Sequence, residues 1–305
     1  MKLRDWVLFI LLGAIWGSSF LWIKIALEEI GPFALVALRL LFGVLGLLVA
    51  VLLWRPSLPS RRWLWVGLGM LGVTNTALPF VLISWGEQHI DSSVASILNG
   101  AVPLFTLVIA HLFLHDERIT LRKAIGLLTG FGGVVLLVGR DVGYGAGRDA
   151  VLGQLAVLVA AISYASSSVF ARRNLHEVSP ILQAFASLAV ADTVVWLAVP
   201  VFESPFGLPA LPLTWLALVW LGLLGTCVAY ILYFYLLQSI GATRATMVTY
   251  VIPVVGVVLG VIFLRERLDW FLGGGAALVI AGIGIVNTRK RQPVTPQEQP
   301  ASPVK

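Results

Sequence analysis

The second half of this chain repeats the first, in membrane-spanning segments, with an odd number of spans per copy. Trp16-Gly17-Ser18-Ser19-Phe20 recurs as Tyr164-Ala165-Ser166-Ser167-Ser168, Lys24 as Arg172 and Pro32 as Pro180, each pair 148 residues apart. Val102-Pro103 recurs 150 residues on as Ile252-Pro253, and Leu114-His115-Asp116-Glu117-Arg118 as the shorter Leu264-Arg265-Glu266-Arg267. An odd number of spans inserts the two copies in opposite orientation. Such inverted repeats let secondary transporters expose one central site to each side in turn.

The spans follow from length and hydropathy. A bilayer core is crossed by about 20 mostly apolar helical residues. Ten stretches meet that need: 6–27, 33–54, 63–86, 92–114, 121–139, 151–171, 181–202, 214–238, 241–264 and 270–288. Apolar residues make up 59% of the chain and charged residues 12%, which excludes an ordinary soluble globule. The expected fold is all-α and membrane-embedded, with ten transmembrane helices as two inverted five-helix repeats. The first repeat occupies 6–139, a polar loop 140–150, the second repeat 151–288, and a proline-rich, disordered cytoplasmic tail 289–305. The first apolar stretch is too long for the core of a signal peptide, about 7–15 residues, and the sixth span matches it. It is therefore kept as a mature span.

Charge sets the expected orientation. With the N-terminus inside, the cytoplasmic side holds Lys2, Arg4, Arg55, Arg61, Arg62, Arg118, Arg122, Lys123, Arg172, Arg173, Arg244, Arg289, Lys290, Arg291 and Lys305. The other side holds only Lys24, Arg140, Arg148, Arg265 and Arg267. This is the positive-inside bias, and it puts both termini in the cytoplasm of an inner-membrane protein. The net charge of +6 is thereby explained by topology, and no nucleic-acid partner is expected. A lone Cys227 and four scattered histidines give no disulfide framework and no metal-ligand spacing. No cofactor is expected. Gly67-Leu68-Gly69-Met70-Leu71-Gly72 matches a dinucleotide-binding pattern, but it lies inside a span, where small residues serve packing.

The repeated motifs resemble those of the EamA family of the drug/metabolite transporter superfamily. The fourth span reads Ser92-Ser93-Val94-Ala95-Ser96-Ile97-Leu98-Asn99-Gly100-Ala101-Val102-Pro103 and closes on Glu117-Arg118. Its twin reads Ala242-Thr243-Arg244-Ala245-Thr246-Met247-Val248-Thr249-Tyr250-Val251-Ile252-Pro253 and closes on Glu266-Arg267. Glycine-rich fifth spans follow each. The resemblance covers about 6–288. It implies an exporter of small metabolites, with amino acids a frequent cargo and aromatic amino-acid exporters of the YddG type the nearest in pattern.

A transporter of this kind needs a polar patch at mid-membrane and helices that bend around it. Pseudosymmetry pairs the candidate substrate-binding residues: Trp16 with Tyr164, Ser19 with Ser167, Thr76 with Thr226, Phe80 with Tyr230, Asn99 with Thr249, and Gly100 with Tyr250. Together they would ring a cavity suited to a cargo with one apolar and one polar or zwitterionic end. The hydroxyls are also of the kind that bond their own helix. Pro79, Pro103 and Pro253 lie within spans and are candidate hinges, or static kinks. Arg39 and Asp192 are candidate charge partners. Arg39 in a cavity would favour carboxylates, and Asp192 there would favour cations. Glu117 and Glu266 are expected to cap helices. The leading reading is a gradient-driven secondary transporter, not an enzyme, that exports aromatic or apolar amino acids by alternating access. Cationic drugs, nucleosides or other metabolites are the alternative cargo, and an integral-membrane lipid enzyme is the remote one. The partners implied are a small-molecule substrate and the lipid bilayer. The oligomeric state stays open, and a monomer is compatible with all of this.

Overall fold

In hydrocarbon a backbone has no water to bond, so each apolar run closes its own hydrogen bonds as a helix. The computed structural model describes residues 2–114, 118–143, 147–241 and 245–287, which contain helices and connections and no strand. The first five helices are α1 (Leu3–Ala26), α2 (Pro32–Trp54), α3 (Arg62–Glu87), α4 (Ser92–Phe113) and α5 (Leu121–Gly143). The second five are α6 (Arg148–Asn174), α7 (Pro180–Phe202), α8 (Pro212–Ile240), α9 (Val251–Phe263) and α10 (Trp270–Asn287). All but α9 are long and apolar enough to cross a membrane; α9 is shorter and is entered through a 3-10 turn, Thr246–Tyr250. Pro32, Pro180 and Pro212 each occupy a first helical turn, where a missing N–H costs nothing. Glu117 and the tail 289–305 lie outside the described residues.

Helix directions show the inversion. Gly126 on α5 meets Gly282 and Val286 on α10, and Gly133 meets Gly275 and Val279, so numbers rise on one helix as they fall on the other. The same antiparallel sense joins α2 to α7 (Gly43 on Leu188, Phe33 stacked on Phe202 at 4.8 Å) and α3 to α6 (Gly86 on Gly153). It also joins α4 to α9, through Ser96 at Gly256 and Ser93 at Gly260. By contrast α1 and α9 run parallel, with Gly13 on Val251 and Gly17 on Val255. The halves therefore interlock through helix pairs that cross between them. Glycine lines these seams because atoms of the facing helix, backbone atoms at Gly86, Gly126 and Gly133, lie where a Cβ would stand.

Four helices carry irregular backbone, α3, α4 and α8 within their length and α9 at its start. A π-helical segment, Gly72–Ala77, interrupts α3, and another, Trp220–Val228, interrupts α8. α4 breaks at Ala101, two residues before Pro103, and α9 begins from its 3-10 turn just before Pro253. These pairs match across the repeat, and Gly100 at one break lies against the Pro253 ring at the other. Irregular backbone at membrane depth is tolerated where protein buries it or where it lines a cavity.

The bundle has a near face, at the end that carries Lys2, and a far face, at the end with Lys24 and Glu87.

Candidate functional site

The four irregular helices, with α1, α2 and α6, surround a cavity of about 350 Å3. That is within the range of small-molecule sites, about 300–1,000 Å3. Its wall includes Trp16 and Ser19 from α1, Arg39 from α2, Phe80 from α3, and Asn99 and Gly100 from α4. From the second half come Tyr164 on α6, Thr226 and Tyr230 on α8, and Thr249 at the 3-10 turn. At the far end Phe20, Ile23 and Ile83 are buried; towards the near face the wall includes the exposed Ser168.

Arg39 is the one charged side chain among the described lining residues. It is 6% exposed, so it turns into the bundle instead of reaching for the membrane surface. Its guanidinium lies 4.0 Å from the centre of the Phe80 ring, a cation–π contact. Its Nε is buried without a hydrogen-bond partner. α8 packs directly on this stretch of α2: a Cβ at Gly222, in the π-helical segment of α8, would stand 2.6 Å from the Arg39 carbonyl. Only glycine lets α8 press that closely on α2. On another wall, Asn99 has its Oδ1 buried and without a partner. The cavity thus offers a fork of N–H donors and a carbonyl acceptor amid rings. Trp16 and Tyr233 pack with centroids 5.6 Å apart, and Tyr230 and Phe234 stack at 6.0 Å.

Several expected residues sit elsewhere. Thr76 is wholly buried and absent from the cavity wall. Ser167 donates to Thr74 Oγ1 at 2.8 Å, tying α6 to α3. Tyr250 donates to the Ile283 carbonyl at 2.6 Å and accepts from Asn287 at 2.8 Å, tying the 3-10 turn to α10. Hydroxyls also bond their own helices, as Ser19 does to Ile15 O (3.3 Å) and Thr226 to Leu221 O (2.9 Å). Asp192 is half-buried on α7, away from the cavity wall, with its Oδ1 enclosed. Pro79 lies two residues past the π-helical segment of α3.

The acidic residues at the loops fasten helix ends. Glu266 accepts from the Ser92 and Ser93 amides at 2.7 and 3.0 Å and from the Ser93 hydroxyl, capping α4. Arg265, at φ 54, makes the left-handed turn that ends α9 and brings Glu266 back, a role glycine usually fills. Glu203 caps α2 through Phe33 N and Ala34 N, both at 2.8 Å. Glu29 caps α8 through Leu211 N (3.1 Å) and the Thr214 hydroxyl (2.5 Å). The Thr214 hydroxyl and the Ala210 and Leu211 amides hold the Glu29 carboxyl below its usual range, against a smaller opposing effect of burial.

A model of the EamA-like transporter family matches residues 4–139 and again 151–288. The chain belongs to the EamA-like transporter family. It is 27% identical to the uncharacterized transporter YoaV of Bacillus subtilis, over 88% of this chain and 91% of that one. An uncharacterized transporter of Archaeoglobus fulgidus is 29% identical, over 95% and 100% of the two chains. The uncharacterized inner membrane transporter YedA of Escherichia coli is 29% identical over 94% of each. A solved crystal structure, 23% identical, superposes with a TM-score of 0.67 over 93% of this chain and 96% of its own; at that identity it speaks for the fold alone. These likenesses make the EamA chain a membrane transporter and leave its cargo open.

Sequence reasoning missed part of the wall. Phe20, Ile23, Asn75, Ile83, Ser168 and Tyr233 all line the EamA chain's cavity. The helical stripe held the signal for most: extending Trp16 and Ser19 reaches Phe20 and Ile23, and extending Phe80 and Tyr230 by three reaches Ile83 and Tyr233. Glu87, one turn beyond Ile83, lies just past the end expected for the third span and closes α3.

Proposed function

We propose that this EamA transporter exports small amphipathic metabolites bearing a carboxylate, with aromatic or apolar amino acids the best fit. Arg39 carries the reading. A buried, always-charged fork with an unpartnered donor, set in an aromatic wall, matches a carboxylate joined to a flat apolar body. Asn99 Oδ1 supplies an acceptor for the ammonium of a zwitterion. A cationic cargo would call for an acid on the wall, and Asp192 lies away from it. Alternating access follows from the inverted halves, with Pro79, Pro103 and Pro253 hinging α3, α4 and α9. The positive-inside bias supports a cytoplasmic-membrane location with both termini inside. The exposed Ser168 then lies toward the cytoplasmic side, where an exporter loads.

The test is counterflow in proteoliposomes with radiolabelled amino acids at equal pH on both sides. Accumulation of aromatic or apolar amino acids by wild type and its loss in Arg39→Met are expected. Accumulation of organic cations in place of every amino acid overturns the reading.

A further inference from the structure

Glu87 ends the stripe Phe80, Ile83, Glu87 on α3, one turn beyond the cavity wall. It is wholly buried, and neither carboxyl oxygen has a hydrogen-bond partner. Around it the far face is fastened shut. The Lys24 ammonium donates to the Glu87 carbonyl and, at 2.8 Å, to the Ile90 carbonyl, pinning α1 to the end of α3. Glu266 holds the start of α4. A Cβ at Gly86 would lie 2.8 Å from the Gly153 carbonyl, so α3 and α6 touch backbone to backbone.

The matching seam on the near face is built differently. Asp5 on α1 accepts from Ser239 (2.9 Å) and Tyr235 (3.3 Å) on α8. Those are the positions that match His89 and Trp85 on α3, 150 residues earlier. One acid is therefore bonded at its gate, and the other is sealed without a partner. Among the described residues, Lys24 on α1, Glu266 beyond α9 and Arg39 on α2 act on Glu87 electrostatically. The α6 stretch packed on this end of α3 presents Gly153 and Val157, neither of them charged. The hydrogen bonds of Lys24 go to carbonyls, and no ion pair joins it to Glu87 among the described residues. An ionised carboxyl in such a place lacks the donors that ions in protein interiors require, while a carboxylic acid does not need them.

We propose that Glu87 is a proton-binding site linked to access. It holds a proton while the far face is shut and yields it to water on that side when the face opens. On opening, the Oε–H bond breaks and a water molecule takes the proton; on closing, the reverse occurs. Acid in the far compartment then favours the shut far face, and alkali favours opening. By linkage the ratio of shut to open changes by up to about tenfold per pH unit.

The test needs no cargo, so it stands or falls apart from the reading of Arg39. Hydrogen exchange of residues 84–96 is measured in lipid nanodiscs at about pH 5 and about pH 8, corrected for intrinsic rates, reading the linkage as protection. Wild type is expected to lose protection several-fold at the higher pH. Glu87→Gln, the neutral isostere, is expected to stay protected at both. Equal protection of wild type at the two values overturns the proposal, as does pH-dependent protection that survives in E87Q. Glu87→Leu serves the same comparison where E87Q does not fold.

Discussion

The seam between α5 and α10 makes a sharp test of how the two halves hold together. A methyl group at Gly282 would fall 2.5 Å from the Gly130 nitrogen, and 2.6 Å from both the Gly130 Cα and the Gly126 carbonyl oxygen. All three atoms are backbone, so no side chain can swing aside. Non-bonded carbon contacts are comfortable from about 3.5 Å, so Gly282→Ala must part the helices by nearly 1 Å. A gap of about 0.5–1 Å forfeits roughly a quarter to a half of each dispersion contact, and a seam with as many contacts as one buried leucine holds about 4–12 kcal/mol. The loss comes to about 3 kcal/mol, the upper end for overpacking. Gly132, on the exposed side of α5, is the control, since a Cβ there meets open space. Gly132→Ala should gain up to about 1 kcal/mol from helix propensity. The assay is the thermal midpoint of the detergent-solubilised protein, read as the monodisperse fraction after heating. G282A should fall by about 6–12 °C and G132A hold level or rise. A G282A midpoint at or above that of G132A would refute the argument that backbone contact, and not side-chain packing, sets this interface.

Three further outcomes follow from the same geometry. Arg39→Lys keeps the charge but loses the fork and the stacking on Phe80; half-saturation in counterflow should rise about 10- to 100-fold, the scale of a charge-assisted hydrogen bond. An unchanged value would remove Arg39 from the site. Glu266→Ala strips the acceptor from two amides and a hydroxyl at the start of α4 and should cost about 2–4 kcal/mol. Glu266→Gln, keeping one oxygen, should cost about half as much by thermal midpoint. Glu29 has a carboxyl held below its usual range. Its capping therefore stabilises fully above the ordinary carboxylate range and is lost as pH falls through the lowered folded value. Wild type should lose stability in acid more steeply than Glu29→Gln, and parallel acid profiles would show that the cap contributes nothing.

Much of this protein was legible without coordinates because its constraints are periodic. Apolar runs of membrane length must be helices, and a motif that returns after an odd number of spans must return upside down. Trp16 and Tyr164, and Phe80 and Tyr230, pair across the repeat and all four lie on the cavity wall, since symmetry brings equivalent positions to one axis. The glycine spacings marked the seams, although which helix each seam meets was not written in them.

Tertiary structure decided what a one-dimensional pattern cannot hold, namely the direction and partner of each polar group. Arg39 and Asp192 look alike in sequence, each a lone charge in an apolar run. Arg39 lies on the cavity wall where the π-helical segment of α8 packs on α2, while Asp192 stays on α7 away from it. Thr76, Ser167 and Tyr250 carry the same chemistry as the residues on the wall, yet they lie off it; Ser167 and Tyr250 bond neighbouring helices. The sequence determined that this chain crosses a membrane as two inverted halves, because burial in lipid leaves a backbone few choices. Which side chains meet at the centre, and that Glu87 is sealed at the far end of α3 without a partner, only the packing of the helices could determine, because partners come from helices far apart in the chain.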